Sequence, residues 1–305
     1  MANSITGIND DIILDSMLNA FHSHVLPFEA FSTSFNADVV SRRGAKVSVM
    51  RATAADAALT KTTHTAYTVQ DADSDAVEIT LGQPDYVSWG LDDVEVASSS
   101  ILELERYGRQ KGFQLAKKVL QDNLALVTNG NYGAAGFTGA ATTFDEDDVV
   151  DLKDLLDDAD VPEEPRSLIL SNAYYNQLLK DASIKDASAF GGSEGIRQGR
   201  VTQLMGMNVY RSNLIPANAE NLVGFVVHPD AMAVASRYLE PQEGHNYTRA
   251  EPLSYVDPIT GEAFGMVLGL RDWYDEDTGI RKRVIECVNG SVVGISAGLQ
   301  RIVSA

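Results

Sequence analysis

Residues 98–129 constrain this chain more than any other stretch, because SSSILELERYGRQKGFQLAKKVLQDNLALVTN reads as one long helix. Ile101, Leu104, Leu115, Val119, Leu124 and Val127 recur at three- and four-residue steps and draw a single apolar stripe. Ser100 and Glu103 have the S-x-x-E spacing of a capping box, hydroxyl and carboxylate each satisfying an orphan amide of the first turn. Glu103 and Glu105 sit near the start and Lys117 and Lys118 nearer the end, as the helix macrodipole favours. Asn129-Gly130 is the expected stop. From Ile101 to Thr128 such a helix would span about 42 Å, at about 1.5 Å per residue. A mean globular helix has only about 11–12 residues, so this one is a spine for the rest of the chain. Gly108 and Gly112 fall four apart on the stripe. Glycine there costs helix stability, which points to a second backbone passing close by.

The segments before the spine lack a core of their own. Within residues 1–40, Ile12, Ile13, Met17, Ala20 and Phe21 give a short amphipathic helix that closes before Pro27. Phe28, Phe31 and Phe35 follow without clear periodicity, so this arm lies over the body or over a neighbour, or is an ordinary frayed terminus. Residues 41–97 change to strands: Val47, Val49 and Arg51 alternate, then Val77, Ile79 and Leu81, then Val87, Trp89 and Leu91. Between the first two runs lies a stretch rich in Ala, Thr and Asp, where only Leu59, Tyr67 and Val69 offer anchors. A two-stranded excursion of that kind is not stable alone; it folds back on its own domain or reaches another subunit.

After the spine comes a Gly/Ala loop, residues 130–142, and then an acidic helix expected over 145–159 with Val149, Leu152, Leu156 and Ala159 inward. Beyond Pro162 and Pro165 strands and helices alternate, which makes residues 144–238 an α/β module. It comprises a buried-type strand at Ser167 to Leu170, a helix capped by Asn172, a Gly-rich loop at Gly191–Gly195, and strands at Met207 to Ser212 and Leu222 to Val227. A helix is expected from Pro229 to about Tyr238. Residues 239–305 return to strands, with hairpin signals at 275–279 and at Asn289-Gly290.

Composition excludes several functions. The 305 residues carry a formal charge of −19 and no basic stripe of the kind that neutralises phosphates. Arg281, Lys282 and Arg283 are the densest basic cluster, and strand alternation would split them between two faces. No apolar run is long enough to cross a bilayer and no classical signal opens the chain, so a soluble, non-membrane protein is expected. One cysteine, Cys287, forbids an internal disulfide and reads as a buried, inert thiol in a strand.

Candidate chemistry is weak. Gly294 to Gly298 matches G-x-S-x-G, but no Asp, Glu or His follows Ser296 as the hydrolase order requires, so the string reads as a turn of small residues. The spacing of Gly130, Gly133 and Gly136 follows a helix instead of a strand and is not a phosphate turn. Among His22, His24, His64, His228 and His245 no pair has the i, i+4 helical spacing of a zinc site, and the H-x-H of His22 and His24, which would suit a metal on a strand, lies near the end of an expected helix. The acidic helix with Asp147, Asp148, Asp151, Asp154, Asp157 and Asp158 lacks calcium-loop spacing and reads as a solvated face. No catalytic, cofactor-binding or metal-binding residue is expected, and no cofactor.

Three stretches together resemble the major capsid proteins of tailed bacteriophages with the Hong Kong 97 fold. The first is Val161-Pro162, then Pro165 to Asn172, then Tyr174 and Leu178-Leu179. The second is Gly199, Leu204, Gly206 to Tyr210 and Ser212 to Pro216; the third runs from Val226 to Ala235. The resemblance covers roughly residues 98–290. It implies an α+β chain divided into an N-terminal arm (1–40), an extended β-loop (41–97), a peripheral domain with the spine helix (98–143), an axial domain (144–238) and strands returning to the peripheral domain (239–305). It further implies a non-enzymatic shell subunit that self-assembles into pentamers and hexamers of an icosahedral head enclosing double-stranded DNA without reading its sequence. Scaffolding protein and portal are implied partners, with decoration proteins as a further option; assembly is expected in the host cytoplasm and residence in the virion. Lys61 is the one lysine of the excursion, and no partner asparagine for a cross-link is identifiable. The rivals are an encapsulin-like bacterial compartment of the same fold, a serine hydrolase using Ser296, and a monomeric binding module.

Overall fold

The structure, a computed structural model, describes residues 6–32, 46–52, 61, 67, 74–92, 101–181, 201, 203–256 and 263–305. The spine is present as α2 (Ile101–Leu124). Antiparallel strands β1 (Lys46–Ala52) and β2 (Ser74–Thr80) precede it as a two-stranded ribbon, Lys46 opposite Thr80 and Ala52 opposite Ser74. The proposed capping serine, Ser100, His64 and the Gly191–Gly195 loop lie outside the described residues.

Helix α1 (Thr6–Val25) lies along α2. Its Ile13, Met17, Phe21 and Val25 are buried at four-residue steps, against Leu115, Val119 and Leu120 of the spine in the same core. The two spine glycines are what allow this. A Cβ on Gly108 would sit 2.5 Å from the Ile13 carbonyl oxygen, and one on Gly112 would collide with the Met17 carbonyl and lie 3.1 Å from the Ala20 methyl. The second backbone inferred from those glycines is therefore the chain's own first helix. The arm continues through a 3-10 turn (Leu26–Ala30) to Ser32, whose N–H donates to the Pro229 and Met232 carbonyls; Phe31 stacks on Phe225 at 5.9 Å.

Two sheets flank this helical pair. One has the order β10 (Arg249–Val256), β11 (Ala263–Asp275), β12 (Ile280–Val293), β3 (Asp85–Leu91), all antiparallel. The far half of β12 leaves β3 and pairs instead with β9 (Met232–Arg237). The other sheet has six strands, in the order β4 (Phe137–Thr138), β13 (Leu299–Val303), β8 (Leu222–Val227), β5 (Ser167–Leu170), β7 (Met207–Arg211), β6 (Gln203–Leu204). Ile169, Phe225 and Val227 face the main core, while Leu168, Leu170 and Val226 face α4 (Glu146–Asp157) and α5 (Asn172–Leu178). Burial on both faces is why β5 reads as an unbroken apolar run. Sheet membership ignores chain order: the last strand, β13, sits between β8 and β4.

Four expectations need correction. The helix anticipated from Pro229 to Tyr238 is one 3-10 turn (Pro229–Ala231) followed by β9. Gly294 and Ile295 donate to the Ala231 and Asp230 carbonyls, so the backbone acceptors a helix would need are taken by β12's continuation. Asn289-Gly290 is no hairpin; both lie inside β12, where a Cβ on Gly290 would meet the Thr80 carbonyl. The other hairpin signal holds, Gly279 turning with φ 67° between β11 and β12. The spine stops at Leu124, before Asn129-Gly130, which instead open a four-residue helix, α3 (Asn129–Tyr132). Asn172 is the first residue of α5, with Ser171 as its cap position.

Candidate assembly surfaces

The ribbon and the arm meet the body in different ways. At the ribbon's root Ile79 is fully buried with Ala235 and Val288, and the Gly82 N–H donates to the Asn289 carbonyl at 3.0 Å. Farther out, β1 pairs only with β2 among the described strands. Near the tip the Lys61 ammonium lies 4.0 Å from the centre of the Tyr67 ring, which is 80% exposed. A cation–π contact in such exposure contributes about 0.5–1 kcal/mol, too little to fix a limb. Among the described residues the ribbon is held at its root.

A polar knot ties that end to the spine. Asn123 is buried at a position where the stripe continues through Leu120 and Leu124. Its side-chain N–H groups donate to the Val119 carbonyl and to Asn289 Oδ1, each at 2.8 Å. Asn289 Nδ2 in turn reaches Asp85 Oδ2 at 3.5 Å, and Lys118 pairs with Asp122 at 2.6 Å. Burial raises the Asp85 pKa, and the touching Asp122 carboxylate raises it further; Lys118 and Asn289 pull the other way. This knot was missed in the sequence, although an asparagine inside an apolar stripe is a visible signal.

Ion pairs hold the sheet that carries the ribbon's continuation. Asp272 is fully buried and accepts from Arg281 (Nη2 2.5 Å) and Arg283 (Nη2 3.0 Å). Burial opposes its charge, but the hydrogen bonds from Arg281 and Arg283 outweigh that and hold its pKa below the usual carboxylate range. Lys282 points the other way, to Asp275. The basic triplet is thus divided between two faces and spent on internal pairs. Arg271 reaches Glu286 at 2.6 Å on the outer face of the same sheet.

The residues weighed for chemistry are scattered or structural. Ser296 lies in a 3-10 turn (Ser296–Gly298) between β12 and β13. His228 is near that turn, its N–H donating to the Gly298 carbonyl, while its Nδ1 accepts from the Asp230 amide; among the described residues Ser296 makes no hydrogen bond to it. Burial lowers the His228 pKa, with Asp230 opposing and Arg166 adding to the effect. His24 packs edge-on against Phe113 at 4.9 Å, and burial lowers its pKa. Cys287 is fully buried and its thiol is pushed up to about 12 by burial, the mark of an inert packing residue. The aspartates of α4 cap and solvate it: Asp145 and Asp148 form a reciprocal capping box. Among the described residues no cluster of three or more His, Cys, Asp or Glu could hold a metal, and no helix is long and apolar enough to cross a membrane.

Among the described residues a few large apolar side chains are exposed, and they are dispersed. Tyr86 is 65% exposed and Tyr274 53%; Tyr107 on the spine and Val150, Leu155 and Ile295 elsewhere are also open.

Comparison with known proteins agrees. The family model described as phage capsid protein matches residues 103–284. No curated protein matches by sequence. Among solved structures, the capsid of Cyanophage P-SCSP1u superposes with a TM-score of 0.59 at 14% identity, over 90% of this chain and 87% of that one. The bacteriophage PhiM1 mature capsid gives 0.55 at 13% identity over 90% and 87%. A chain of Mycobacterium phage Che8 gives 0.53 at 17% identity over 86% and 85%. These likenesses carry the fold, and the phage shell is favoured over the encapsulin-like compartment. The chain belongs to the phage capsid protein family, as a major capsid protein of the tailed-phage, Hong Kong 97-type fold.

Proposed function

We propose that copies of this chain build pentamers and hexamers of a closed icosahedral head around double-stranded DNA, with the β1–β2 ribbon lying across the neighbouring subunit. The observation that carries this is the ribbon itself, anchored by Ile79 and Gly82 at its root and paired with nothing but itself beyond, among the described residues. Many modest contacts of that kind, repeated under closed symmetry, give a stable shell from weak pairs. The six-stranded sheet with α4 and α5 is then the axial region, and the spine with the other sheet the peripheral one. A charge of −19 suits a wall that confines DNA without gripping it. The subunit performs no reaction; scaffolding and portal proteins would direct assembly in the host cytoplasm, and the finished shell resides in the virion.

Deleting residues 52–76 tests this reading. The shortened chain should stay soluble and folded, with the far-ultraviolet spectrum of the body, and should fail to form closed particles in electron micrographs. Normal particles from the deleted chain would remove the ribbon from the list of intersubunit clamps.

A further inference from the structure

The cleft beside the ribbon's root has the makings of a cation site. It is lined by Asp85 at the start of β3, by Lys118, Asp122 and Asn123 of α2, and by Asn289 and Ser291 of β12. Asn123 is 1% exposed and both its N–H groups are committed, to Val119 O and Asn289 Oδ1. Those two bonds fix the amide orientation, because a flip would set oxygen against oxygen. Asn123 Oδ1 then accepts from no described protein group, a costly condition for a buried carbonyl.

The charges lining the cleft are unbalanced. The Asp85 and Asp122 carboxyl groups touch, and the one nearby ammonium, Lys118, is paired to Asp122 across a largely exposed i,i+4 contact. Such a contact is screened by water and easily exchanged. Asp122 also lies in the last turn of α2, where the helix's free carbonyls favour a cation and disfavour a carboxylate.

We propose that this cleft binds a hard divalent cation, with Asp85, Asp122 and Asn123 Oδ1 as its protein ligands. Ca²⁺ fits better than Mg²⁺, since it accepts a mixed carboxylate and amide set without octahedral regularity. Two carboxylates make a weak site, with Kd about 10⁻⁴–10⁻³ M, the range of sparsely charged calcium modules. Bound there, the ion joins the ribbon's root to the spine and to β12, and so fixes the angle at which the ribbon leaves the body. That last consequence rests on the assembly reading above; the binding does not.

Calorimetric titration of the full chain, kept unassembled, with CaCl₂ against NaCl at matched ionic strength tests the site. One Ca²⁺ per chain is expected, with MgCl₂ binding more weakly. Asp85→Asn and Asp122→Asn, both isosteric, should each weaken Ca²⁺ at least about tenfold, the lower end of what losing a metal site's supporting group costs. The double variant Asp151→Asn, Asp154→Asn on the exposed face of α4 should bind as the parent does. The proposal is overturned by a parent chain that takes up no Ca²⁺ beyond the salt control, by undiminished binding in both cleft variants, or by loss of binding in the α4 variant. Particle formation enters none of these readouts, so a failure of the shell reading leaves them interpretable.

Discussion

The arm and the ribbon look alike in sequence and end differently. Both precede the spine and both lack enough apolar surface for a core of their own. The arm has found its surface within the chain: Ile13, Met17 and Phe21 are buried along α2, and Phe31 reaches Phe225. Among the described residues the ribbon has found one at its root, around Ile79. What separates them lies in the receiving element. Gly108 and Gly112, about one turn apart, clear a landing strip for α1, whereas Gly290 clears a single point, under the Thr80 carbonyl. A limb's fate is thus written partly in the glycines of the element it lands on.

The largest effect should come from filling the arm's strip. Gly112→Val places branched carbons where the Met17 carbonyl and the Ala20 methyl already lie. Overpacking alone costs about 1–3 kcal/mol. The obstacle here is backbone, so α1 must lift and expose buried side chains worth about 1.5–3 kcal/mol each. A loss of about 3–5 kcal/mol in urea unfolding is expected. Parent-like stability would mean that the arm is seated elsewhere in solution, and the contrast with the ribbon would vanish.

Acid should separate the two modes of attachment next. The arm is held mainly by apolar contacts, with His24 on Phe113 and Glu29 accepting from the Tyr210 hydroxyl as its titratable ones; the sheet continuing from the ribbon is held by Asp272 between Arg281 and Arg283. The folded pKa of Asp272 lies below its unfolded value. Its contribution is therefore complete above the ordinary aspartate value, about 3.9, and is lost as pH falls through the depressed folded value. Asp272→Asn leaves Arg283 buried without its countercharge and should cost about 3 kcal/mol at neutral pH, the lower end for breaking a buried pair. The same substitution should flatten the fall in stability below about pH 4. An unchanged acid limb would show that other carboxylates govern it.

How far these contrasts could be read in the sequence depends on whether the cause is local. The spine, the strand at Ser167–Leu170, the β11–β12 hairpin and the landing strip for a second backbone are all legible, because periodicity and turn chemistry are properties of neighbouring residues. The end of the spine is not. Asn218, 94 and 91 residues on, donates to the Leu124 and Val127 carbonyls at 2.8 Å, and Glu220 accepts from the Asn129 amide. Those tertiary bonds terminate the helix ahead of the Asn-Gly signal. Met232–Arg237 failed for the same reason: its composition suits helix or strand, and the far half of β12 decides. Of the site, Asn123 was visible as a polar residue in an apolar stripe, but its partners Asn289 and Asp85 were not, since long-range pairing brings them together.

A smaller effect should follow from filling the ribbon's single landing point. In Gly290→Ala the new methyl meets the Thr80 carbonyl and comes within 3.3 Å of Ile79 Cγ2. Overpacking of about 1–3 kcal/mol is expected, and it should be local. Amide exchange should quicken at Ile79 and Gly82 while the amides of α2 beneath α1 stay protected. Uniform quickening would show that root and spine unfold as one unit.

The smallest effect on the isolated subunit should come from the exposed tyrosines of the ribbon-bearing sheet. Tyr86 and Tyr274 have most of their surface in water, so Tyr86→Ser and Tyr274→Ser should each change unfolding free energy by no more than about 0.5 kcal/mol. Their weight lies between subunits, where tyrosine is enriched and a single ring at the centre of a contact costs about 1 kcal/mol or more when truncated. Multiplied over every contact of a closed shell, that loss should raise the concentration at which light scattering first reports particles, while the monomer melts as before. If both variants assemble at the parent concentration, this sheet faces solvent in the shell, and the contacts that the ribbon needs must be sought on the spine side, around Tyr107.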